Sequence, residues 1–401
     1  RKEKKRKEKK RKEKKRKEKI LYFQGEGDFQ KGEGENFGSN LDEKYINKRP
    51  NKTEEDKIGI INRENYINSN KINKNKKYII ALSSNYVKGK YLLYHINITI
   101  IFFLFSQIYS SYIKLIIPGP GISRVFFNNK GAIYNHWCEE TVFPSEIKIN
   151  GIIQVDKTSE YYFNETENIV TLTYGSNLKN IECLFHMCSN ITKIDFTNFN
   201  MISYHSLASL LNGCSFLVEA NFSNVNFQKI FSTRNMFVNC TSLKIVDFTN
   251  CKIPLLEDMG YMFFNCINIV SINLSSFDTS NVIFMYYMFK NCISLVSIEL
   301  PNYKNTKIND ICCMFYNCIS LVSIDLSNFE ENNYLEYIGS MFYNCSSLKY
   351  VNLSKLVTTR VKHMDSMFYN CSSLTSLDLF NFDTSQVTWI ESMFNGCRKV
   401  E

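Results

Sequence analysis

The chain has 401 residues, 44% hydrophobic and 14% aromatic, which is enough apolar material for a substantial core. Its net charge of +9 is unevenly distributed, because residues 1–111 carry 28 Lys and Arg against 14 Asp and Glu, whereas residues 112–401 carry 20 against 25. The larger part is mildly acidic, which excludes the basic footprint of a nucleic-acid-binding domain.

Residues 1–90 have the composition of a low-complexity segment. The opening "RKEKKRKEKKRKEKKRKEK" contains 15 Lys and Arg and 4 Glu, and residues 40–90 are rich in Asn, Lys, Ile and Tyr without clean periodicity. A solvated tract is the favoured interpretation, and a nuclear-targeting or polyanion-binding tail is the alternative. We predict that residues 1–90 are disordered or extraneous to the folded protein.

Residues 91–111 form a membrane-directing segment. No Asp, Glu, Lys or Arg occurs from Tyr91 to Ile113, and the apolar stretch "IIFFLFSQIYSS" follows Lys88 and Lys90. This pattern predicts a signal peptide cleaved before Tyr112, or an uncleaved signal anchor. A buried core helix is the alternative. Both membrane interpretations place residues 112–401 outside the cell, because the lysine excess precedes the segment.

Residues 112–160 are predicted to form a β-rich N-terminal cap. "YIKLIIPGPGISRVFF" reads as two strands interrupted by Pro and Gly, and "FPSEIKINGIIQV" adds further strand-like stretches. A repeat array needs such a cap to cover its first apolar face. Leu178, Ile181, Leu184 and Phe185 indicate a degenerate repeat between the cap and the regular array.

Residues 161–401 are dominated by one repeated motif, seen in "MFYNCISLVSIDLSNF" and "MFYNCSSLTSLDLFNF". Its cysteine recurs every 26 residues, except for one step of 27 between Cys318 and Cys345. The array contains eight full repeats, and the next is cut off four residues after Cys397. The ladder cysteines are Cys188, Cys214, Cys240, Cys266, Cys292, Cys318, Cys345, Cys371 and Cys397.

The apolar positions within a repeat predict its local structure. Counted from the ladder cysteine, apolar residues return at +3, +6, +8 and +11, which is the spacing of a leucine-rich repeat and favours a short strand. A second set at +16, +19, +22 and +23 favours a short helical or 3₁₀ turn. We therefore predict a leucine-rich-repeat solenoid with one short parallel strand and one short helical turn per repeat.

The cysteines are expected to have structural roles. The nine ladder cysteines read as small buried hydrophobic residues. Disulfides are an open alternative for the five outside the ladder, Cys138, Cys183, Cys251, Cys312 and Cys313. No CxxC pair occurs, so no metal or cofactor site is predicted.

The strand position at +7 carries a row of acids and amides, the most distinctive surface feature of the repeats. A solvated strand face is the favoured interpretation. The alternative is a stripe that binds a basic or hydroxyl-rich partner, or weakly binds Ca²⁺. The strand-face stripe consists of Asp195, Asn221, Asp247, Asn273, Glu299, Asp325, Asn352 and Asp378.

The repeat blocks, together with "NFDTS" and the flanking "PSEIKING", resemble the BspA-type leucine-rich repeats over residues 112–401. This resemblance implies a right-handed solenoid on a secreted or cell-surface protein of bacteria, mycoplasmas or protists, with adhesion as the usual assigned role. It implies no catalytic residue. The chain departs from the pattern where Leu210 and Leu211 replace Met and Phe, and where Ala220 occupies a core position.

We predict an extracellular or cell-surface recognition or adhesion protein that binds through its solenoid face. The expected partner is a protein or glycan on another surface, without nucleic acid and with membrane contact only if the 91–113 segment stays uncleaved. An intracellular scaffold is the alternative. An enzyme is not expected, because nothing orients His136 with Cys138, or His205 with Cys214, as a nucleophile and base.

Overall fold

The computed structural model describes residues 111–128, 138, 142–176, 178–301, 303, 307–329 and 332–400. They belong to the second of the two units into which the chain divides, Tyr91–Glu401. The low-complexity segment and nearly all of the membrane-directing segment predicted above lie outside the described residues. Among the described residues, no helix has the length and apolar content needed to cross a membrane.

An antiparallel cap precedes the solenoid. Its strands are β1 (Tyr112–Pro118), β2 (Gly121–Arg124), β3 (Glu146–Ile149), β4 (Ile152–Ile153), β5 (Glu160–Phe163) and β6 (Glu167–Thr173). The main sheet has the order β4-β3-β6-β1, while β2 and β5 form a separate antiparallel pair. The antiparallel pairing therefore extends to Thr173, past the residue 160 at which we placed the end of the cap.

Strand β1 joins the cap to the solenoid. In "YIKLIIP" alternate residues Ile113, Leu115 and Ile117 are fully buried, as the period of a half-buried strand requires. One edge of β1 pairs with β6, and the other pairs antiparallel with the first solenoid strand, Leu115 lying opposite Ile194. The cap thus covers the first edge of the array through backbone hydrogen bonds.

The solenoid strands occupy positions +5 to +7 of successive repeats. They are β7 (Lys193–Asp195), β8 (Glu219–Asn221), β9 (Ile245–Asp247), β10 (Ser271–Asn273), β11 (Ser297–Glu299), β12 (Ser323–Asp325) and β13 (Tyr350–Asn352). Neighbours pair parallel within three groups, β7-β8-β9, β10-β11 and β12-β13. The prediction of a leucine-rich-repeat solenoid is confirmed, with one short parallel strand in each repeat from that of Cys188 to that of Cys345.

The predicted short helical turn is wrong for the described residues, where consecutive turns take its place. Residues five and one before the ladder cysteine have positive φ, as at Ser340 (54°) and Asn344 (57°), which interrupts a right-handed helix. The backbone N–H groups of Ser340, Phe342 and Asn344 donate to carbonyls of the following coil at 2.7–2.9 Å. Bonds between coils therefore replace the bonds that would run along a helix.

Stacked aromatic rings fill the core. From Cys240 onward, the phenylalanine three residues before the ladder cysteine stacks on its counterpart in the next coil. Phe263 stacks on Phe289 at 5.4 Å and Phe289 on Phe315 at 5.5 Å between centroids, both at 4° between planes. All three rings are fully buried. Phe329 and Leu335, which flank the extra residue of the 27-residue step, are both buried in the core, so the insertion lies between these two core positions.

Candidate functional site: two outward faces of the solenoid

The strand-face stripe occupies the third position of each solenoid strand. Parallel register places Asp195 beside Asn221, Asn221 beside Asp247, Asn273 beside Glu299, and Asp325 beside Asn352. Asp378 holds the same position in the last described coil, where no strand is formed. The structure therefore brings the stripe residues together in rows of neighbours on adjacent coils, as the repeat frame predicts.

Most stripe residues also stabilise the turn that follows their strand. In seven of the eight, Oδ1 accepts the backbone N–H two residues later, from Asp195 with Thr197 at 2.9 Å to Asp378 with Phe380 at 2.9 Å. The exception is Glu299, which is followed two residues later by Pro301 and therefore has no N–H to accept. Asp and Asn are thus selected at +7 by local turn chemistry, and partner binding by the stripe stays a prediction.

The ladder cysteines pack inside the solenoid. From Cys214 onward each Sγ donates to the carbonyl of the residue 29 or 30 positions earlier, at 2.9–3.2 Å. Burial raises the pKa of these thiols, to about 12 for Cys371 and well above its usual value for Cys266. A buried neutral thiol bonded to a carbonyl is a poor nucleophile.

The cysteines outside the ladder divide into two kinds. Cys138 and Cys183 form a disulfide with their Cα atoms 5.7 Å apart. Cys251 stays reduced, fills the +11 core position and donates to the carbonyl of Phe222 at 2.9 Å, while Cys312 and Cys313 are also free thiols. The disulfide links the segment around residue 138 to the turns that open the first coil.

In both candidate nucleophile–base pairs, the cysteine is unavailable as a nucleophile. Cys138 is consumed by the disulfide, and His136 lies outside the described residues. Cys214 is buried and donates to the Phe185 carbonyl at 3.1 Å, and burial raises the pKa of its thiol. Within the described residues, no group of three His, Cys, Asp or Glu side chains is placed to hold a metal ion.

The solenoid has a second outward face that the sequence patterns did not predict. We call it the aromatic face, and it comprises positions −8, −6, −5 and −2 relative to the ladder cysteine. Ring contacts connect these positions, since Tyr286 contacts both Phe284 (5.9 Å) and Tyr287 (6.1 Å). Its aromatic members are Tyr261, Phe264, Phe284, Tyr286, Tyr287, Tyr316, Tyr337, Tyr343, His363, Tyr369 and Trp389. The sequence signal was the tyrosine of the "MFYNC" motif.

Tyrosines at position −2 form a regular stack on this face. The rings of Tyr316, Tyr343 and Tyr369 lie 4.4 and 4.5 Å apart with planes within 4°. Lys290 covers the first ring, with Nζ 4.4 Å from the Tyr316 centroid. The facing ring surfaces in this stack therefore cover one another, and Lys290 lies over the ring of Tyr316.

The repeat geometry can now be compared with known families. The model of the BspA type leucine rich repeat region (6 copies) matches residues 139–244. The model described as "Mycoplasma protein of unknown function, DUF285" matches residues 232–350 and 325–401, so the two together span 139–401. The solenoid carries the repeats of the BspA-type leucine-rich-repeat family. Proteins of this family are generally non-enzymatic binding proteins, so the solenoid has a protein-interaction role.

Solved leucine-rich-repeat structures resemble this BspA-type chain only distantly. The TLR13–ssRNA13 complex gives a TM-score of 0.24 at 14% identity, covering 52% of this chain and 39% of its own. The Toll–Spatzle complex of Drosophila gives 0.23 at 15%, covering 55% and 35%. A leucine-rich repeat protein from Eubacterium ventriosum gives 0.21 at 12%, covering 48% and 80%. The chain thus spans well under half of the first two, and no curated protein matches it.

Proposed function

We propose that this BspA-type chain is a secreted or cell-surface recognition protein that adheres to a protein or glycan on another surface through its solenoid. One observation carries the proposal, namely the in-register row of acids and amides on successive coils. The turn bonds hold these side chains at 2.8–3.2 Å from the backbone, so little conformational entropy is lost when a partner binds.

The cysteines support an exterior location. The two cysteines that form a disulfide lie outside the ladder, and disulfides persist in oxidising compartments. The twelve free cysteines are buried, apart from the half-buried Cys312 and Cys397. The thiols of the array are thereby shielded from oxidation and exchange outside the cell.

Surface labelling of intact source cells tests the location. We expect labelled peptides from residues 112–401, including one that begins at Tyr112 if the signal is cleaved. Unlabelled full-length protein recovered only from inside the cell would contradict the exterior location and leave the intracellular scaffold.

Neutralising the strand-face stripe tests the binding surface. We expect Asp247→Asn, Glu299→Gln, Asp325→Asn and Asp378→Asn together to weaken adhesion to the surface that source cells contact by at least about fivefold, since each exposed charge contributes modestly. The fold should survive, because Asn keeps the Oδ1 that accepts the turn N–H.

The matched control removes four carboxylates elsewhere, with Asp156→Asn, Glu165→Gln, Glu167→Gln and Glu257→Gln at exposed positions away from the stripe. Adhesion is measured with purified full-length protein, and folding is checked by thermal melting. Equal adhesion by the stripe variant and the control would show that the strand-face stripe does not bind the partner.

A further inference from the structure

Eight asparagines among the described residues begin the pattern Asn-x-Ser/Thr, which is the acceptor pattern for N-linked glycans. The chain is rich in Asn and Ser, so several of these matches are expected by chance. A glycan is bulky, and a folded protein carries it only where the acceptor side chain lies at the surface. The eight are Asn164, Asn190, Asn221, Asn239, Asn273, Asn344, Asn352 and Asn370.

Six of the eight patterns follow from the repeat itself. Three begin with the asparagine before the ladder cysteine, whose amide bonds between coils, as Asn344 does to Asn317 at 2.6 Å. Adjacent strands of a sheet lie about 4.8 Å apart, so a sugar does not fit between coils. The other three begin with a stripe residue whose Oδ1 accepts a turn N–H, as Asn352 does from Ser354 at 3.2 Å. The fold therefore explains both residue types at these positions.

The middle residue of the pattern separates Asn164 from the other seven. In Asn164-Glu165-Thr166 all three residues are exposed. In each of the other seven patterns the middle residue is a buried core side chain, so its neighbours are held against the solenoid. These buried middle residues are Ile191, Phe222, Cys240, Leu274, Cys345, Leu353 and Cys371.

The turn that carries Asn164 joins β5 to β6, and the cap holds it through its carbonyl groups. Nδ2 of the buried Asn168 donates to the carbonyl of Glu165 at 2.9 Å, and the backbone N–H of Gly119 donates to the carbonyl of Thr166 at 3.3 Å. A Cβ at Gly119 would overlap the Glu165 carbonyl oxygen, so only glycine permits this close approach. The backbone of the turn thus bonds to the cap, while its side chains lie at the surface.

An exposed tyrosine accompanies Asn164. Burial alternates at the end of β5, where Phe163 is 1% exposed and Tyr162 is 64% exposed, and the exposed Asn164 continues this alternation. Side chains two residues apart project from the same face of a strand. Ile122, which is 68% exposed, lies opposite Tyr162 across β2 and β5. An apolar patch that contains an aromatic ring therefore adjoins the acceptor amide.

We propose that Asn164 carries an N-linked glycan whose first sugar packs its C–H face on the ring of Tyr162. The donor is a lipid-linked oligosaccharide pyrophosphate. Nδ2 forms a bond to the anomeric carbon of the donor, the bond from that carbon to the pyrophosphate oxygen breaks, the lipid pyrophosphate leaves and the amide releases one proton. This inference rests on the proposed exterior location, because the chain must enter the secretory pathway to meet the donor.

Mass spectrometry of surface-labelled protein from source cells tests the modification. Trypsin cleaves after Lys157 and Lys179 and releases residues 158–179, in which Asn164 begins the single acceptor pattern. Peptide N-glycosidase in ¹⁸O water converts a glycosylated asparagine into aspartate that contains ¹⁸O. We expect ¹⁸O at Asn164 in the majority of the molecules.

Asn352 is the matched control within the same protein. Its pattern also follows an exposed tyrosine by two residues, since Tyr350 is 52% exposed, but its middle residue is buried. We expect no ¹⁸O at Asn352. Thr166→Ala should abolish the ¹⁸O at Asn164 although the asparagine is kept, whereas Thr166→Ser should retain it, because the acceptor pattern requires a hydroxyl at this position.

Thermal melting tests the contact with Tyr162. Removal of the glycan should lower the melting temperature of the wild-type protein by about 1–4 °C, since packing of the sugar on the ring is comparable to an aromatic pair. The same treatment should leave the melting temperature of Tyr162→Ser unchanged. The enzyme produces the same aspartate in both proteins, so the effect of its charge cancels. Equal shifts would show that the ring does not contact the sugar.

The possible outcomes distinguish this inference from the proposed function. Surface-labelled protein without ¹⁸O in the 158–179 peptide would overturn the glycan and leave the exterior recognition role intact. Conversion at Asn352 and not at Asn164 would overturn the assignment of the acceptor. Protein without surface label would contradict both the exterior location and the glycan.

Discussion

The asparagine that precedes each ladder cysteine from Cys240 to Cys371 combines two properties at one position. Its φ is positive, between 56° and 63° from Asn239 to Asn370, a region that Asn tolerates better than most residues. Its side-chain amide also bonds to the preceding coil, Asn344 to Asn317 and Asn370 to Asn344, both at 2.6 Å. The residue therefore sets the turn and links neighbouring coils.

Substitution of Asn344 separates these contributions. Asn344→Ala loses the ladder bonds and forces Ala into the left-handed region, so we expect the free energy of unfolding to fall by about 2–4 kcal/mol. Asn344→Gly loses only the ladder bonds, and we expect about 1–2 kcal/mol. Urea titration measures both, and equal losses for Ala and Gly would show that the positive φ carries no cost here.

At the scale of the element, strands were predictable and turns were not. Alternation of apolar residues around Ile324 and Val351 is a local signal, and it correctly predicted a short strand in each repeat from that of Cys188 to that of Cys345. The following apolar pair, such as Met341 and Phe342, has the spacing of a helical turn as well as of the observed turns. The observed turns are favoured because the backbone N–H of Phe342 donates to the carbonyl of Met367 on the next coil. This contact joins two repeats, so the spacing within one repeat does not predict it.

In the cap and the candidate sites, too, local features were predictable and contacts between distant residues were not. Strand β1 was predicted from the strand-like stretch that precedes Pro118, but its pairing with the first solenoid strand is a long-range contact. The row at +7 was predicted from the repeat frame, whereas its bonds to the turn depend on the fold, as between Asp325 and Ser327. The tyrosines at −2 were visible in the motif, and only the stacking of Tyr316 on Tyr343 reveals a surface.

At the scale of the whole molecule, the buried thiols couple stability to pH. An unfolded cysteine titrates near pH 8.5, whereas burial raises the pKa of Cys371 and Cys251 to about 12. The folded chain keeps protons that the unfolded chain releases, so the stabilising effect is complete below about pH 8.5 and is lost as the pH rises toward 12.

We therefore expect the free energy of unfolding to fall between pH 8.5 and 9.5 by up to about 1.4 kcal/mol per pH unit for each buried thiol. Urea titrations with a reductant present measure this slope. Cys371→Ala should reduce this slope by the contribution of one thiol, because it removes one titrating group. A slope that is unchanged in this variant would contradict the assignment.

Stacking also determines how far the effect of a core mutation extends along the solenoid. Phe289 lies between Phe263 and Phe315, and its truncation to Ala empties the space of a ring that is fully buried. We expect a loss of about 3–5 kcal/mol in the free energy of unfolding, as for other buried phenylalanines. Since each coil contacts mainly its neighbours, the effect should decline with distance along the array.

Hydrogen exchange followed by mass spectrometry measures both the size and the spread of this effect. Protection should fall most in the coils of Phe263, Phe289 and Phe315 and remain near wild type in the cap, because the solenoid transmits strain from coil to coil. Phe380→Ala is the control, since that ring is 92% exposed and its removal should change protection little. Uniform loss of protection from cap to last coil in Phe289→Ala would show instead that the array unfolds as one cooperative unit.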